Sequence, residues 1–250
     1  MVYNNPVTFI GRGRILELSR FSRSEMLIGA DAVKHLSECH VAVFGIGGVG
    51  SYVAEALARG GVGEITVVDN DEVAMTNINR QLCALTSTIG KKKTEVASER
   101  IRDINPDCRV HVINGFYLPD SAEDFFPRRY DYIADAVDTV QAKLSLAEEA
   151  QRRGIPIISC MGTGNKLDPT QFCVSDISKT SVCPLCRVMR RELRARGIKN
   201  LKVVWSPEKP IKPNETVEET TRRALPGSIS FVPPVAGMIM AGEIIKDLIK

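Results

Sequence analysis

The chain has 250 residues, of which 44% are hydrophobic and 25% are charged. These values are ordinary for a globular protein, exclude global disorder and a coiled coil, and allow a core without disulfide staples. The net charge of +3 indicates no polyanionic partner, so such a partner must be argued from local clusters of charge. The apolar stretches are too short to span a bilayer, and the start of the chain lacks a secretory signal pattern. We therefore expect a cytoplasmic protein, not attached to a membrane, whose seven cysteines are reduced thiols.

Helix and strand patterns alternate through the first two thirds of the chain. A first helix is predicted over residues 22–38, with Ser22 and Glu25 as a capping box. Strands are then predicted over residues 40–44, 64–69, 109–113, 132–136 and 155–159, and helices over residues 50–59, 91–104 and 139–153. This alternation predicts an α/β fold, Rossmann-like, with a mainly parallel sheet and helices on both faces.

The pattern loosens after about residue 162. Short strands are predicted over residues 172–177 and 203–205, a basic helix over 183–196, a mobile loop over 209–219, and a closing helix over 233–249. We therefore predict one domain, residues 1–250. Its nucleotide-binding part covers about residues 20–160, and a smaller, irregular, substrate-facing part covers about residues 161–250.

A glycine-rich loop follows the first strand of the alternating region. The motif GIGGVG, residues 45–50, places Gly45, Gly47 and Gly50 at the spacing of the dinucleotide fingerprint. Such glycines let the backbone turn tightly and approach a phosphate at a helix N-terminus. Asp69 ends the next strand, where an acidic residue holds ribose hydroxyls. Taken alone, the motif favours a nicotinamide dinucleotide, and a tight turn that binds nothing is the other interpretation.

Charged residues after the glycine loop change this interpretation. Arg80 lies in the polar segment after the strand predicted over residues 64–69, Lys93 lies at the start of the next predicted helix, and Asp138 follows the end of a later predicted strand. A nicotinamide enzyme has no use for two cations and a lone carboxylate at its ligand. An enzyme that cleaves ATP does, because cations stabilise charge on the phosphates and a carboxylate holds Mg²⁺.

These motifs resemble the ubiquitin-activating (ThiF/MoeB-like) adenylation fold, in the right order from about residue 20 to residue 138. The resemblance implies that Asp69 binds the ribose, that Asn77, Arg80 and Lys93 bind the ATP phosphates, and that Asp138 holds magnesium. The nucleotide-binding set then comprises Gly45, Gly47, Gly48, Gly50, Asp69, Asp71, Asn77, Arg80, Gln81 and Lys93.

The segment before the first strand carries a further implication. In enzymes that resemble this chain, an arginine at the position of Arg23 often enters the site of the neighbouring subunit, which implies a homodimer. The catalytic set is then Arg23, Arg80, Lys93 and Asp138. The alternative is that Arg23 is a surface residue at a helix start, and whether it acts in cis or in trans stays open.

Within this superfamily the chain is most similar to the tRNA threonylcarbamoyladenosine dehydratase branch, also called TcdA or CsdL. The similarity lies in RFSR at residues 20–23, GTGNKLDPT at residues 162–170 and DISKT at residues 176–180. It implies an ATP-dependent tRNA-modifying enzyme that adenylates the threonyl carboxylate of a modified adenosine beside the anticodon. The side chain then cyclises with net loss of water, and AMP and pyrophosphate are released. A sulfur-transfer protein is a further partner that occurs in this family.

The cysteines bear on cofactors and mechanism. Cys183 and Cys186 form half of a four-thiolate zinc site, but no cysteine follows them, and Cys160 and Cys173 complete a site only in unusual geometry. We therefore expect free or reversibly oxidised thiols rather than zinc. The crossover region, residues 205–229, also contains no cysteine, so we expect no thioester intermediate.

A basic stripe lies on the helix predicted over residues 183–196 and beyond it. One acid, Glu192, stands among seven basic residues, which are Arg187, Arg190, Arg191, Arg194, Arg196, Lys199 and Lys202. The five arginines are our predicted contacts with the tRNA backbone, and a solvated amphipathic helix is the alternative.

Two other functions remain open from the sequence. The first is adenylation of the C-terminal glycine of a small sulfur-carrier protein, and the second is an NAD(P)-dependent or non-catalytic nucleotide-binding protein.

Overall fold

The computed structural model describes residues 8–11, 14–214 and 226–250, and its elements follow the alternation that the sequence predicts. The strands are β1 Thr8–Gly11, β2 Arg14–Glu17, β3 His40–Phe44, β4 Glu64–Asp69, β5 Arg109–Asn114, β6 Tyr132–Asp135, β7 Ile157–Cys160, β8 Cys173–Asp176 and β9 Lys202–Trp205. The α-helices are α1 Ser22–Ile28, α2 Ala30–Glu38, α3 Gly50–Gly60, α4 Lys93–Ile104, α5 Val140–Arg153, α6 Pro184–Ala195 and α7 Val232–Leu248.

Seven strands form one sheet in the order β5-β4-β3-β6-β7-β9-β8. All neighbours pair in parallel except β8, which runs antiparallel to β9 at the sheet edge. From β3 the chain moves to β4 on one side and later to β6 on the other, which creates a topological switch point. Because Phe44 is in register with Val68 and Asp135, the carboxyl ends of β3, β4 and β6 meet at one edge of the sheet.

Helices cover both faces of this sheet. Every residue of β3 is buried, as expected for a strand covered on both faces. On one face, Leu57 of α3, Ile101 of α4 and Met240 of α7 belong to one core cluster. On the other face, Leu146 of α5 packs with Phe44. The predicted Rossmann-like α/β fold is therefore confirmed, with the short strands β8 and β9 extending the sheet in its C-terminal part.

The predicted single helix over residues 22–38 is wrong. Gly29 has a φ of 84°, a left-handed conformation that glycine adopts readily, and it separates α1 from α2. The predicted capping box is also wrong, because the helix begins at Ser22 itself, after Phe21 as N-cap. The Ser22 hydroxyl instead accepts from the Ser19 backbone N–H at 2.8 Å.

Two further observations complete the description. The loop predicted over residues 209–219 is described only to residue 214, and its remainder lies outside the described residues. No helix in the described part of the chain is both long and apolar enough to cross a membrane.

Candidate functional site

The glycine loop occupies the switch point, between β3 and α3. Gly45 has a φ of 87°, and a Cβ atom built there would lie 2.7 Å from the carbonyl oxygen of Ala136. A Cβ atom on Gly50 would lie 1.7 Å from the carbonyl oxygen of Gly45. Both positions therefore require glycine, and the loop delivers the backbone N–H groups of the α3 N-terminus to the edge of the sheet.

Asp69 at the end of β4 fixes the glycine loop. Its Oδ2 accepts from the Ile46 backbone N–H at 2.6 Å, and its Oδ1 accepts from the Asp71 backbone N–H at 2.8 Å. Asp69 is half-buried, so its carboxylate is open toward the crevice. The structure thus places the predicted ribose-binding carboxylate directly against the predicted phosphate loop.

Asp71 connects this carboxylate to Lys93. The ammonium group of Lys93 lies 2.7 Å from Asp71 Oδ2, and the Lys93 side chain is only 5% exposed. Lys93 is the first residue of α4, and its side chain is buried against the exposed carboxylate of Asp71. Lys91, two residues earlier, is exposed to solvent instead. The contacts Ile46–Asp69–Asp71–Lys93 therefore bring the predicted lysine to the glycine loop.

The segment between β4 and α4 contributes the remaining predicted groups. A Cβ atom built on Gly48 would lie 3.3 Å from Cγ of Arg80, which places this arginine against the loop. The Arg80 guanidinium donates to the Thr76 carbonyl and to Asn79 Oδ1. Asn77 Oδ1 accepts from the Ala74 N–H at 3.1 Å and thereby shapes the turn.

Gln81 provides a test of whether a ligand fits beside the loop. It is 7% exposed, and its Oε1 is buried without a hydrogen-bond partner among the described residues. Its Nε2 lies 4.0 Å from a Cβ atom built on Gly47, the one position of the loop with open space. A buried amide oxygen without a partner is costly, so this group fits a site in which a ligand hydroxyl or amine donates to it.

Asp138 is exposed and follows β6 at the same edge of the sheet. Beneath it lies a group that the sequence analysis missed. Asp135 is fully buried and contacts Lys143 of α5 and Ser159 of β7. The signal available in the sequence was a lysine within the run of apolar and small residues at positions 142–147 of helix α5.

A second edge of the crevice is formed by the stretch that resembles the dehydratase branch. Asn165, with a φ of 59°, donates its backbone N–H to the Gly227 carbonyl at 2.8 Å and accepts from the Gly227 N–H at Oδ1. The Asn79 side chain donates to the Ser228 carbonyl at 3.0 Å. The segment at residues 226–228 therefore connects the box around Arg80 to the loop that follows β7.

The basic stripe is less available than the sequence suggests. Arg190 donates to the Thr180 carbonyl, and Arg196 pairs with Glu148 and Glu192. Beyond the helix, Lys202 pairs with Glu243 and Asp247. Arg187, Arg191 and Arg194 are exposed and share one face of α6, at helical spacings of four and three. Arg191 also pairs with Glu192 but stays 76% exposed.

Arg23 lies far from the glycine loop of its own chain. Helix α3 extends 11 residues from that loop, about 16 Å. At its far end, Phe21 packs against Gly61, with a ring carbon 3.5 Å from a Cβ atom built there. Arg23 is exposed on α1, a helix without buried residues, whose Met26 and Leu27 are 84% and 88% exposed.

The cysteines do not gather into a metal centre in the part of the chain that the structure describes. Cys183 and Cys186 are buried together at the start of α6, where the Cys186 thiol donates to the Cys183 sulfur and lowers the pKa of Cys183.

Among the described residues, one group of three side chains has metal-ligand spacing: His40, Glu64 and His111. Arg109 and Arg128 also contact Glu64, so two positive charges already occupy that position, at the opposite edge of the sheet.

Comparisons with known proteins agree with this geometry. The model of the ThiF family matches residues 21–250. A tRNA threonylcarbamoyladenosine dehydratase of Bacillus subtilis is 47% identical over 243 residues, which cover 93% of this chain and 96% of that protein. A protein of the same name from Haemophilus influenzae is 47% identical over 175 residues, 70% of this chain and 67% of that protein. The crystal structure of the E. coli tRNA N6-threonylcarbamoyladenosine dehydratase in complex with ATP superposes with a TM-score of 0.84 at 37% identity, covering 92% of this chain and 93% of that one.

Proposed function

The chain belongs to the ThiF family, and we propose that it is an ATP-dependent tRNA threonylcarbamoyladenosine dehydratase. It adenylates the threonyl carboxylate of the modified adenosine next to the anticodon and promotes cyclisation of that side chain, with AMP and pyrophosphate as products. The relatives and the ATP complex support this function over adenylation of a sulfur carrier. The tRNA substrate accords with the cytoplasmic location that we predict, and we treat the whole chain as one adenylation domain.

The observation that carries the proposal is the set of charges around the glycine loop. Arg80 packs against Gly48, and Lys93 reaches the loop through Asp71 and Asp69. A dinucleotide reductase would gain nothing from a buried lysine and an arginine at this position. Acyl-adenylate formation needs them, because negative charge builds on the phosphate oxygens when pyrophosphate leaves.

In the first step, the substrate carboxylate attacks the α-phosphorus and the bond to pyrophosphate breaks. We assign Asn77, Arg80 and Lys93 to the phosphates, Asp69 to the ribose, and the buried Gln81 oxygen to a donor on the nucleoside. Burial of Lys93 strengthens its interaction with phosphate, since water screens it little. Bound Mg²⁺ would neutralise phosphate charge, and the exposed carboxylate of Asp138 is the group to hold it.

In the second step, a nucleophile within the same side chain attacks the activated carbonyl carbon and AMP leaves. An intramolecular attack has a large advantage in effective concentration, so no enzyme nucleophile is required. The structure accords with this step, because Cys83, which lies under the loop near the Ile46 carbonyl, is buried. Cys173 is the exposed cysteine, and it lies on β8, four strands from β3, or about 19 Å.

We further propose a homodimer in which Arg23 acts in trans. Phe21, two residues before Arg23, packs at the end of α3 away from the glycine loop, and α3 is about 16 Å long. The exposed Met26 and Leu27 on α1 supply an apolar surface of the kind that a partner subunit covers. Arg187, Arg191 and Arg194 are the proposed tRNA contacts, while Arg190 and Arg196 hold α6 in place. A sulfur-transfer protein is a further partner, proposed from the family resemblance alone.

The test is direct. The protein is incubated with ATP, Mg²⁺ and tRNA that carries threonylcarbamoyladenosine. The tRNA is then hydrolysed to nucleosides, which are separated and whose masses are measured by mass spectrometry. We expect a nucleoside lighter by one water, formed only with ATP, together with AMP. An Asp138→Ala variant that remains folded should form none. ATP-dependent AMP formation with a sulfur-carrier protein but not with tRNA would instead establish the alternative function.

A further inference from the structure

A buried ion pair lies directly beneath the segment that presents Asp138. Asp135, the last residue of β6, is 0% exposed, and Lys143 in the second turn of α5 is 1% exposed. The Lys143 ammonium lies 3.1 Å from Asp135 Oδ1 and 3.3 Å from the Ser159 hydroxyl. Ser159, also 0% exposed, donates to Asp135 Oδ2 at 2.5 Å. One carboxylate thus joins β6, β7 and α5.

Stability alone does not account for such a pair. Removing two charges from water carries a large desolvation cost, and well-packed apolar residues of similar volume often stabilise a core as well or better. A buried pair is better understood by what it orients. Here the carboxylate has one more partner, because Asp135 Oδ1 also accepts from the backbone N–H of Val137 at 3.2 Å.

This last contact reaches the proposed site. Val137 immediately precedes Asp138, and the backbone before it is held from the opposite side by the Ala136 N–H, which donates to the Phe44 carbonyl at 2.8 Å. The close approach of Gly45 to the Ala136 carbonyl fixes the same turn against the glycine loop. At the start of α5, Thr139 makes no side-chain cap hydrogen bond. The Asp135 side chain is therefore a principal constraint on the backbone from Val137 to the helix.

We infer that Asp135 and Lys143 are positioning residues, which hold the Val137 backbone and so aim the Asp138 carboxylate at the phosphates and their magnesium. Lys143 acts by binding the buried Asp135 side chain and holding its orientation, with Ser159 fixing the second oxygen. This inference rests on the role proposed for Asp138. A displacement of about 1 Å at a reacting group costs on the order of a hundredfold in rate.

Two double variants separate positioning from packing. Asp135→Asn with Lys143→Met removes both charges but keeps an oxygen to accept from Val137 and an amide to donate to Ser159. Asp135→Val with Lys143→Met removes the charges and the acceptor. Tyr117→Phe serves as a control, because it deletes another buried hydrogen bond to α5, the one between the hydroxyl groups of Tyr117 and Ser145. Urea unfolding identifies the variants that remain folded.

Adenylation is measured as tRNA-dependent exchange of labelled pyrophosphate into ATP, and ATP binding is measured by calorimetry at increasing Mg²⁺ concentrations. We expect kcat for exchange to fall about 100-fold in the valine double variant but less than about fivefold in the asparagine one. The Mg²⁺ concentration needed for ATP binding should rise in the valine variant alone, and Tyr117→Phe should leave both quantities near those of the parent protein.

Equal losses in the two double variants, both folded, would overturn the inference. Amide hydrogen exchange of the unaltered protein tests it without any substitution: the Val137 amide should exchange as slowly as the amides of β6, and exchange at the rate of an exposed loop would also overturn it. If Asp138→Ala exchanges pyrophosphate normally, the proposed role of Asp138 fails instead. If Asp138→Ala is inactive while the valine variant is fully active, only the positioning role fails.

Discussion

Glu64, at the start of β4 and the opposite edge of the sheet, should contribute a measurable, pH-dependent part of the stability of the fold. Its carboxylate lies 2.5 Å from Arg109, 2.6 Å from His111 and 3.5 Å from His40. Burial acts to raise the pKa of Glu64, but the hydrogen bonds from Arg109 and His111 and the charge of His40 outweigh it. Together they hold the pKa at about 2, below the ordinary 4.5.

The size of the effect follows from this difference. A fall in pKa from 4.5 to about 2 corresponds to about 3 kcal/mol of preference for the charged form in the folded state. Arg109 is 64% exposed, so solvent screening reduces the expected contribution to about 2 kcal/mol. Because the pKa is lower in the folded state, this stability is fully present above pH 4.5 and is lost as the pH falls toward 2.

A Glu64→Gln variant resembles the protonated carboxyl group, so it should lack this contribution at every pH. At pH 7 its free energy of unfolding, from urea titration, should lie about 2 kcal/mol below that of the parent protein. The difference should shrink when both proteins are compared at progressively lower pH between 4.5 and 2. A difference that stays constant over this range, or that is absent at pH 7, would refute the electrostatic explanation.

Four further predictions concern the site and its surroundings. Lys93→Met should reduce pyrophosphate exchange about 100-fold, whereas Lys92→Met, which loses a partly exposed pair with Glu72 and a hydrogen bond to the Asn70 carbonyl, should exchange normally; equal effects would contradict the role of Lys93. Mixing an Arg23→Ala subunit with an Asp138→Ala subunit should restore cyclisation, since one site of the mixed dimer has both residues, and no rescue after proven subunit exchange would exclude action in trans. Charge reversal at Arg187, Arg191 and Arg194 should raise the KM for tRNA and flatten its salt dependence, whereas Arg190→Glu should lower the melting temperature, because Arg190 holds Thr180. The native protein should expose one thiol to a disulfide reagent, Cys173, and a cysteine-free variant that folds should still form the cyclic product; loss of that product would support a covalent intermediate.

Local patterns were sufficient to predict the adenylating half of the site. A parallel strand, a glycine turn and a helix form an autonomous unit, so the fingerprint predicts where Gly45 and Asp69 meet without knowledge of the rest of the fold. Arg80 and Lys93 follow within the next two elements, and the structure brings both to the loop. The break at Gly29 also depends on one residue with a left-handed φ, but the prediction of a single helix over residues 22–38 missed it.

The features that the sequence did not predict depend on contacts between segments that are far apart along the chain. The sequence shows one acid, Glu192, within the basic stripe, but not the acids that pair with the stripe from other helices. Glu148, which pairs with Arg196, comes from α5, and Glu243 and Asp247, which pair with Lys202, come from α7. Lys143 likewise gave no periodic signal of its own. Its burial in a helix that carries other charged residues is explained only by the carboxylate eight residues earlier and the hydroxyl 16 residues later.

Two segments that are far apart along the chain meet beside the glycine loop. The box from Asn77 to Gln81 and the stretch from Gly162 to Thr170 are far apart along the chain, and each was interpreted separately. In the structure they are neighbours through residues 226–228, since Asn79 binds the Ser228 carbonyl and Asn165 binds both backbone groups of Gly227. The Asn165 carbonyl also accepts from the Ile211 N–H at 2.8 Å. One residue in a left-handed conformation therefore holds the chain both at Gly227 and at Ile211. The groups that we propose for ATP therefore lie on the first βα units, and the stretch that resembles the dehydratase branch lies beside them in the C-terminal part. We therefore propose that Arg80, Lys93 and Asp138 serve adenylation, and that the second region selects the substrate.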